Sequence, residues 1–344
     1  MIRGIGEVTL KTILKAFPTP AAIWDISPDN LHSLFSSLRL KAPHEAVNQI
    51  ATNRKRLIER ARRELEKLSN DDISFLTIFD KEYPDRLKES KDPPKWLFVQ
   101  GDVSCLSMPN LVAVVGTRNA SAVGLDRART LTKWLAEKNV GIVSGLAEGI
   151  DATAHQAALD FGVKTIGVLG TGILLYFPAS TSALRRRIIY ESGAVITEYF
   201  PNDNFSRSNF VRRNRIQAGL AYAIAPIEGH ASSGTAHTYN FAKEYGRVTF
   251  GVTNGNARGE DGIIDLLKSD KRPVFNLQSD DDLTALESLL KPIVNMPKSE
   301  SNQRSFAHIL EQLRMFIHEH RISEKEFNEL VLELRRGWRN NLGS

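Results

Sequence analysis

Short apolar runs alternate with amphipathic stretches through the middle of the chain. The runs are LVAVVG (111–116), VGIVSG (140–145), VKTIGVLG (163–170), GAVITEY (193–199), YAIAPIE (222–228) and GRVTFGVT (246–253). Each is bounded by glycine or polar residues and reads as a strand. Between them the spacing turns helical, as in DRARTLTKWLAEK after the first run, Ala152–Leu159 and Thr235–Glu244. Strands alternating with helices form βαβ units. The expected fold is therefore α/β and Rossmann-like, a mostly parallel sheet with helices on both faces, over roughly residues 72–290. Upstream, ISFLTIF and WLFVQG are strand-like and flank the turn-rich KEYPDRLKESKDPPK.

The two ends read differently. Residues 1–70 are expected to form a small helical domain: Leu10, Ile13, Leu14 and Phe17 recur at helical spacing before Pro18 and Pro20 stop the helix. NRKRLIERARRELEKL (53–68) interleaves Arg/Lys with Glu and reads as a solvated surface helix with i,i+4 pairs. At the other end, KPIVNMPKSESNQRS (291–305) is a polar break, and residues 291–344 are expected to be a linker and a helical segment. FAHILEQLRMFIHEH and SEKEFNELVLELRRGW are two short helices, the second opened by a capping box, Ser323-x-x-Glu326.

Composition narrows the function classes. The chain has 344 residues, 42% hydrophobic and 25% charged, with a formal net charge of +5. That is an ordinary globular balance, and its mild basicity permits a polyanionic partner. One cysteine, Cys105, rules out an intrachain disulfide framework and a Cys-rich zinc site and fits a reducing cytoplasm. No apolar run approaches the length of a membrane span, and MIRGIGEVTLK lacks the apolar core of a signal peptide. No metal and no membrane partner are expected.

Candidate chemistry lies where ligands bind in open parallel sheets, at the carboxyl ends of the strands. Gly116-Thr117-Arg118 follows the first run, Ser144-Gly145-Leu146-Ala147 the second, Gly170-Thr171-Gly172 the third, and Ser233-Gly234-Thr235 lies beyond the fifth. Small residues let a backbone approach closely, and free N–H groups at such turns bind anions. The corner at Gly116–Arg118 suits phosphate. It leaves open whether that phosphate belongs to a free nucleotide or to a polymer backbone. G-x-x-x-x-G-K-[ST], G-x-G-x-x-G, G-x-S-x-G and H-E-x-x-H patterns are all absent. Asp151 and His155, four residues apart, read as structural hydrogen-bonding groups rather than a metal pair.

The segment PNDNFSRSNFVRRNRIQAGLAYA (201–223) sets Arg207, Arg212, Arg213 and Arg215 among Phe205 and Phe210. Arginine grips phosphate with two parallel hydrogen bonds, and an exposed phenylalanine stacks on a base. Read as a basic, aromatic loop over 205–215, it suits single-stranded nucleic acid. The competing reading has Phe210 anchoring the loop in the core and some arginines pairing with acids such as Glu198. Arg215, taken as the start of the following helix, reads as structural.

The ordered series VAVVGTRNASAVG, IVSGLAEGIDATAH, TIGVLGTGI…YFP, GAVITEY, NFVRRNRIQAGLA and IEGHASSGTAHT resembles the DNA-processing protein A (DprA/Smf) family, and ISFLTIFDKEYPDRLKESKDPPKWLFVQGD resembles its lead-in. The likeness spans about residues 72–275. It implies a cytoplasmic, dimeric protein that binds single-stranded DNA without sequence preference and loads a RecA-type recombinase in natural transformation, with no catalysis and no cofactor. Carried over, it implies a phosphate grip at Gly116, Thr117 and Arg118, a loop at Ser144, Gly145, Leu146 and Ala147, and a turn at Gly170, Thr171 and Gly172. A stacking platform falls on Phe210, and basic and polar contacts fall on Arg207, Arg212, Arg213 and Asn214. Ser233, Gly234 and Thr235 match the family's Ser-Gly turn at a helix start. Gly4-Ile-Gly6-Glu-x-Thr9 resembles the sterile-alpha-motif-like or helix-hairpin-helix region at the family's N-terminus. Two features depart from the pattern: residues 300–344 are short for a winged helix, and GVTNGNARG stands where a Pro-Gly turn is usual.

The rival class is a Rossmann-like nucleotide-binding or nucleotide phosphoribohydrolase enzyme. Such enzymes use a Gly-Gly-x-Gly-Thr-x-x-Glu loop. Ser232-Ser233-Gly234-Thr235 matches it in part, but the double glycine is missing and Thr238 stands where the acid belongs.

Overall fold

The structure is a computed structural model that describes residues 26–38, 42–191, 193–254 and 262–294, together with Ile13 and Met296. The Gly4–Thr9 pattern, most of the first expected helix, part of GVTNGNARG and the two C-terminal helices lie outside the described residues.

Two helices lead in, α1 (Pro28–Ser37) and α2 (Pro43–Asn70). Each begins with proline in its first turn, where a missing N–H costs nothing. Their apolar faces close on a small cluster of Ile13, Leu31, Phe35, Ala46, Val47 and Ile50. The highly charged half of α2 is largely exposed, and its Arg63–Glu59 pair (3.1 Å) is of the i,i+4 kind expected. Leu68, near its end, joins the core beneath the sheet.

The strands are β1 (Ile73–Thr77), β2 (Trp96–Gly101), β3 (Leu111–Val115), β4 (Gly141–Ser144), β5 (Thr165–Val168), β6 (Ala194–Thr197), β7 (Ala223–Pro226), β8 (Val248–Thr249), β9 (Gly251–Thr253) and β10 (Val274–Asn276). The helices after α2 are α3 (Asp85–Lys88), α4 (Ala122–Glu137), α5 (Ile150–Asp160), α6 (Ser182–Tyr190), α7 (Arg207–Leu220), α8 (Gly234–Glu244), α9 (Gly262–Ser269) and α10 (Asp280–Leu289). The large sheet runs β1-β2-β6-β5-β4-β3-β7-β8, with β1 and β2 antiparallel and β6 through β8 parallel. The expected mostly parallel sheet is therefore present. The last apolar run is split: β8 extends the large sheet, Phe250 is fully buried at the break, and β9 pairs with β10 in a second, two-stranded sheet.

Helices on both faces bury both sides of β3. Leu111, Ala113 and Val115 pack into one cluster with Leu97, Ile196 and Ile216, while Val112 and Val114 pack into the other with Leu131, Ile142 and Ala225. This two-residue alternation inside a continuous apolar run is the signature of a central parallel strand. Ile293 and Val294 also join the second cluster, so the compact body continues a few residues into the polar break. No helix among the described residues is long and apolar enough to cross a membrane.

Strand order sets the site. The chain moves outward from β3 through β4, β5 and β6, then returns to lay β7 on the opposite side of β3. The order reverses between β3 and β7, and an open α/β sheet forms its ligand crevice at that point.

Candidate nucleic-acid interface

Pairing of Val115 with Pro226 brings the ends of β3 and β7 side by side. Thr117 N–H donates to the Glu228 carbonyl (2.9 Å), and the Thr117 hydroxyl accepts from Asn119 N–H (3.3 Å). The Glu228 carboxylate accepts from both the backbone and the hydroxyl of Ser121, the N-cap of α4. The Gly116–Arg118 corner is thus held at both ends.

Above it opens a cleft of about 520 Å³ with three walls. Gly116, Thr117, Arg118 and Asn119 form the first. Ser233, Gly234 and Thr235, at the start of α8, form the second. Arg207, Phe210, Val211, Arg213, Asn214 and Gln217 of α7 form the third. The first amides of α8 have no partner within the helix, and the helix dipole adds positive potential there.

The basic, aromatic segment is a helix from Arg207 onward rather than a loop. Ser206 caps it by accepting from Asn209 N–H (3.1 Å), so Arg215 lies in its middle. Helical spacing then sorts the side chains. Arg207, Phe210, Val211 and Asn214 follow i, i+3, i+4, i+7 and share the face toward the cleft. Arg212 falls on the opposite side and does not line it. Asn214 Nδ2 donates to the Gly234 carbonyl (3.0 Å), fixing α7 against α8.

Arg215 is the structural residue its reading anticipated. It is buried and binds the fully buried Glu198 carboxylate at 2.6 Å, with Asp92 at 3.4 Å. Arg213 is also buried. Its guanidinium donates to the Val168 carbonyl, lies 3.9 Å from Asp151 and still reaches the cleft wall. Burial pulls its pKa down against the opposing pull of Asp151, and the nearby Arg118 lowers it further. Arg118 is exposed, with its guanidinium 5.1 Å from the centre of the Phe210 ring. Phe210 is half-buried: its ring packs against Gly170, and it also lines the cleft.

Several predicted residues lie beneath the cleft. Ser144 is fully buried and its hydroxyl donates to the Val114 carbonyl (2.7 Å). Leu146 is buried, and its carbonyl accepts from Thr181 (3.0 Å); Ala147 alone of this loop lines the cleft. A Cβ on Gly145 would meet the Arg213 guanidinium at 2.0 Å, and one on Gly170 would meet the Phe210 ring at 2.6 Å. These glycines make room for other parts of the protein. Thr171 is buried, and Gly172 N–H donates to Asp203 (2.8 Å).

Asp151 accepts from Gly145 N–H (3.1 Å) and Gly116 N–H (3.4 Å), tying the ends of β3 and β4 together. Burial raises its pKa, while Arg213 and its hydrogen-bond donors oppose the shift. His155 Nδ1 meets Thr165 Oγ1 at 2.7 Å, and burial pushes its pKa down to about 3, helped by Arg213, so the ring is neutral. Both residues are structural, and no cluster of metal ligands occurs among the described residues.

The sequence reading missed Phe177. It lies in the YFP segment of the family-like series and lines the mouth of the cleft with Phe205. A Tyr-Phe pair beside a proline gives no local signal of that placement.

This geometry accompanies a match of residues 74–281 to the family model for DNA recombination-mediator protein A. The chain belongs to this family. Among its relatives, the protein Smf of Synechocystis sp. is 33% identical over 74% of this chain and 62% of its own length. The DNA processing protein DprA of Bacillus subtilis is 36% identical over 52% of this chain and 60% of its own, and that of Streptococcus pneumoniae 37% over 59% and 71%. The match thus spans about three-fifths of the first two relatives. The X-ray structure of DprA from S. pneumoniae superposes with a TM-score of 0.61 at 27% identity, covering 82% of this chain and 98% of that one. DprA from Helicobacter pylori, whose structure addresses its single-stranded DNA binding mode, superposes with a TM-score of 0.55 at 27% identity, covering 63% and 96%.

Proposed function

We propose that this chain binds single-stranded DNA, without reading its sequence, in the cleft at the β3/β7 switch point. One observation carries the proposal: Arg118 and Arg207 share a single cleft with Phe210 and the amides that start α8, with the buried Arg213 behind them. Cations and orphan amides suit phosphate, and an aromatic flank suits a base of any identity. In this reading Gly116, Thr117, Arg118, Arg207, Ser233, Gly234 and Thr235 hold the backbone, Phe210 stacks, and Asn214 and Ala147 border the strand. Ser144, Gly145, Leu146, Gly170, Thr171, Gly172 and Arg213 support that surface from beneath.

Family membership supports the rest of the reading. The chain acts as a recombination mediator that hands its strand to a RecA-type recombinase, works as a homodimer in the cytoplasm, serves DNA uptake such as natural transformation, and uses no cofactor. No catalytic step is assigned. Asp151 is the sole carboxylate among the described residues lining the cleft, and two amides and Arg213 occupy it.

Fluorescence anisotropy of a labelled oligo-dT across a salt series tests this, with duplex DNA and a mononucleotide as competitors. The expected result is binding that weakens steeply with salt, because neutralised phosphates release counterions, and that neither competitor displaces. Failure to bind at low salt, or displacement by the mononucleotide, would overturn it.

A further inference from the structure

Phe177 and Phe205 stack on each other at the cleft mouth, centroids 4.5 Å apart and planes 10° apart. Phe205 is 56% exposed and Phe177 38%. Two adjacent exposed phenylalanines at a cleft mouth offer a contiguous apolar surface to whatever enters the cleft. The pair is also braced from behind. Arg185, itself buried, donates to the carbonyls of Ile173 and Leu175, and its guanidinium lies 4.2 Å from the centre of the Tyr176 ring. The loop bearing Phe205 is laced to this one by Gly172 N–H to Asp203 (2.8 Å) and Leu174 N–H to Pro201 (2.9 Å). A ring held in place before binding loses little freedom when a ligand arrives.

We infer that Phe205, backed by Phe177, is a second stacking platform that takes the base next to the one on Phe210. The inference rests on the proposed reading of the cleft as a single-strand site. Phe205 and Phe210 have centroids 6.5 Å apart and planes tilted by 39°. Neighbouring bases in a duplex strand rise by about 3.4 Å. Bases seated on the two rings are therefore pulled off each other, a geometry open to a flexible single strand and closed to an intact duplex. Arg207, two residues from Phe205 and on the cleft face of α7, supplies a cation near the phosphate between them. The ligand class is an oligonucleotide with at least two adjacent bases, of any sequence, since every base offers a π-face.

The test compares the full-length protein with Phe205→Ala, Phe205→Trp, Phe177→Ala and Arg118→Ala. Anisotropy is read on oligo-dT and on an abasic deoxyribose-phosphate oligomer of equal length. Phe205→Ala is expected to weaken oligo-dT binding by about five- to a hundredfold, the effect of losing one stacked base. Phe205→Trp restores it, and Phe177→Ala gives a smaller loss. On the abasic oligomer Phe205→Ala and wild type bind alike. An oligo-dT affinity unchanged in Phe205→Ala but reduced in Arg118→Ala would refute the platform and leave the single-strand reading standing. Equal losses on both oligomers would also refute it, since the ring would then only support the fold. Wild-type protein that binds neither oligomer overturns both.

Discussion

The ends of β3 and β7 and the ends of β4 and β5 read alike in sequence, with small and hydroxyl residues leading toward a helix, yet they end in opposite situations. At β3 and β7, Thr117, Arg118 and Ser233–Thr235 border an open cleft, and a Cβ on Gly234 would meet nothing within 4 Å, although one on Gly116 would meet Ile150 at 2.5 Å. At β4 and β5, Gly145 lies under Arg213 and Gly170 under Phe210. A glycine at a strand end marks a close approach, but the approaching group can be a ligand or the protein's own side chain. Only the strand pair at which the order reverses keeps the space free for a ligand.

The sharpest way to separate the two regions is to ask whether a change affects stability or binding. The largest effect belongs to the closed side. Arg215→Ala leaves Glu198 fully buried without its main partner. Breaking a buried pair costs about 3–5 kcal/mol, and urea denaturation should show that loss while the folded fraction keeps its DNA affinity. An Arg215→Ala protein of full stability would show that the buried pair does not hold α7.

Next in size is a pH effect. His155 is depressed to about 3 in the folded state, against about 6.5 when unfolded. Between these values the unfolded chain binds the extra proton, so stability falls as pH drops from 6.5 toward 3, by up to about 1.4 kcal/mol per pH unit. Asp151 has the opposite sign: its raised pKa favours the folded state on acidification. His155→Gln removes the first contribution and should flatten the acid side of the stability profile measured between pH 4.5 and 7. An unchanged slope would assign the acid loss to other groups.

The open side responds in binding. Arg118 is exposed and lies over Phe210 without burying a charge. Arg118→Ala is expected to leave the unfolding midpoint in place and to weaken oligo-dT by about 1.5–3 kcal/mol, with the salt slope reduced by about one. A drop in stability equal to the drop in affinity would move Arg118 to the structural side. The smallest effect is expected at Arg212, which lies across α7 from the cleft. Arg212→Ala should change stability and affinity by less than about 0.5 kcal/mol. A loss as large as that of Arg118 would mean that the strand wraps beyond the cleft.

Local patterning was sufficient for much of this molecule. Val- and Ile-rich runs marked every strand of the large sheet, and helical spacing marked the helices after β3, β4 and β7, because burial on both faces leaves a continuous apolar run in the chain; the helices at Ser182–Tyr190 and Arg207–Leu220 were not legible in that way. It also pointed to the strand ends, where the candidate cleft lies, and to Arg215 and Asp151 as hydrogen-bonding groups of the interior. Three matters were decided only in three dimensions. Ser206 caps a helix there, and its turns carry Arg207, Phe210 and Asn214 to one side and Arg212 to the other. Strand order chose which glycine turns stay open, since contacts such as Arg213 against Gly145 join residues far apart in sequence. Phe177 meets Phe205 only because backbone hydrogen bonds from Gly172 and Leu174 lace two separate loops together. Periodicity reports the burial of an element's own face, whereas the neighbour that covers it is set by chain crossings that local spacing does not encode.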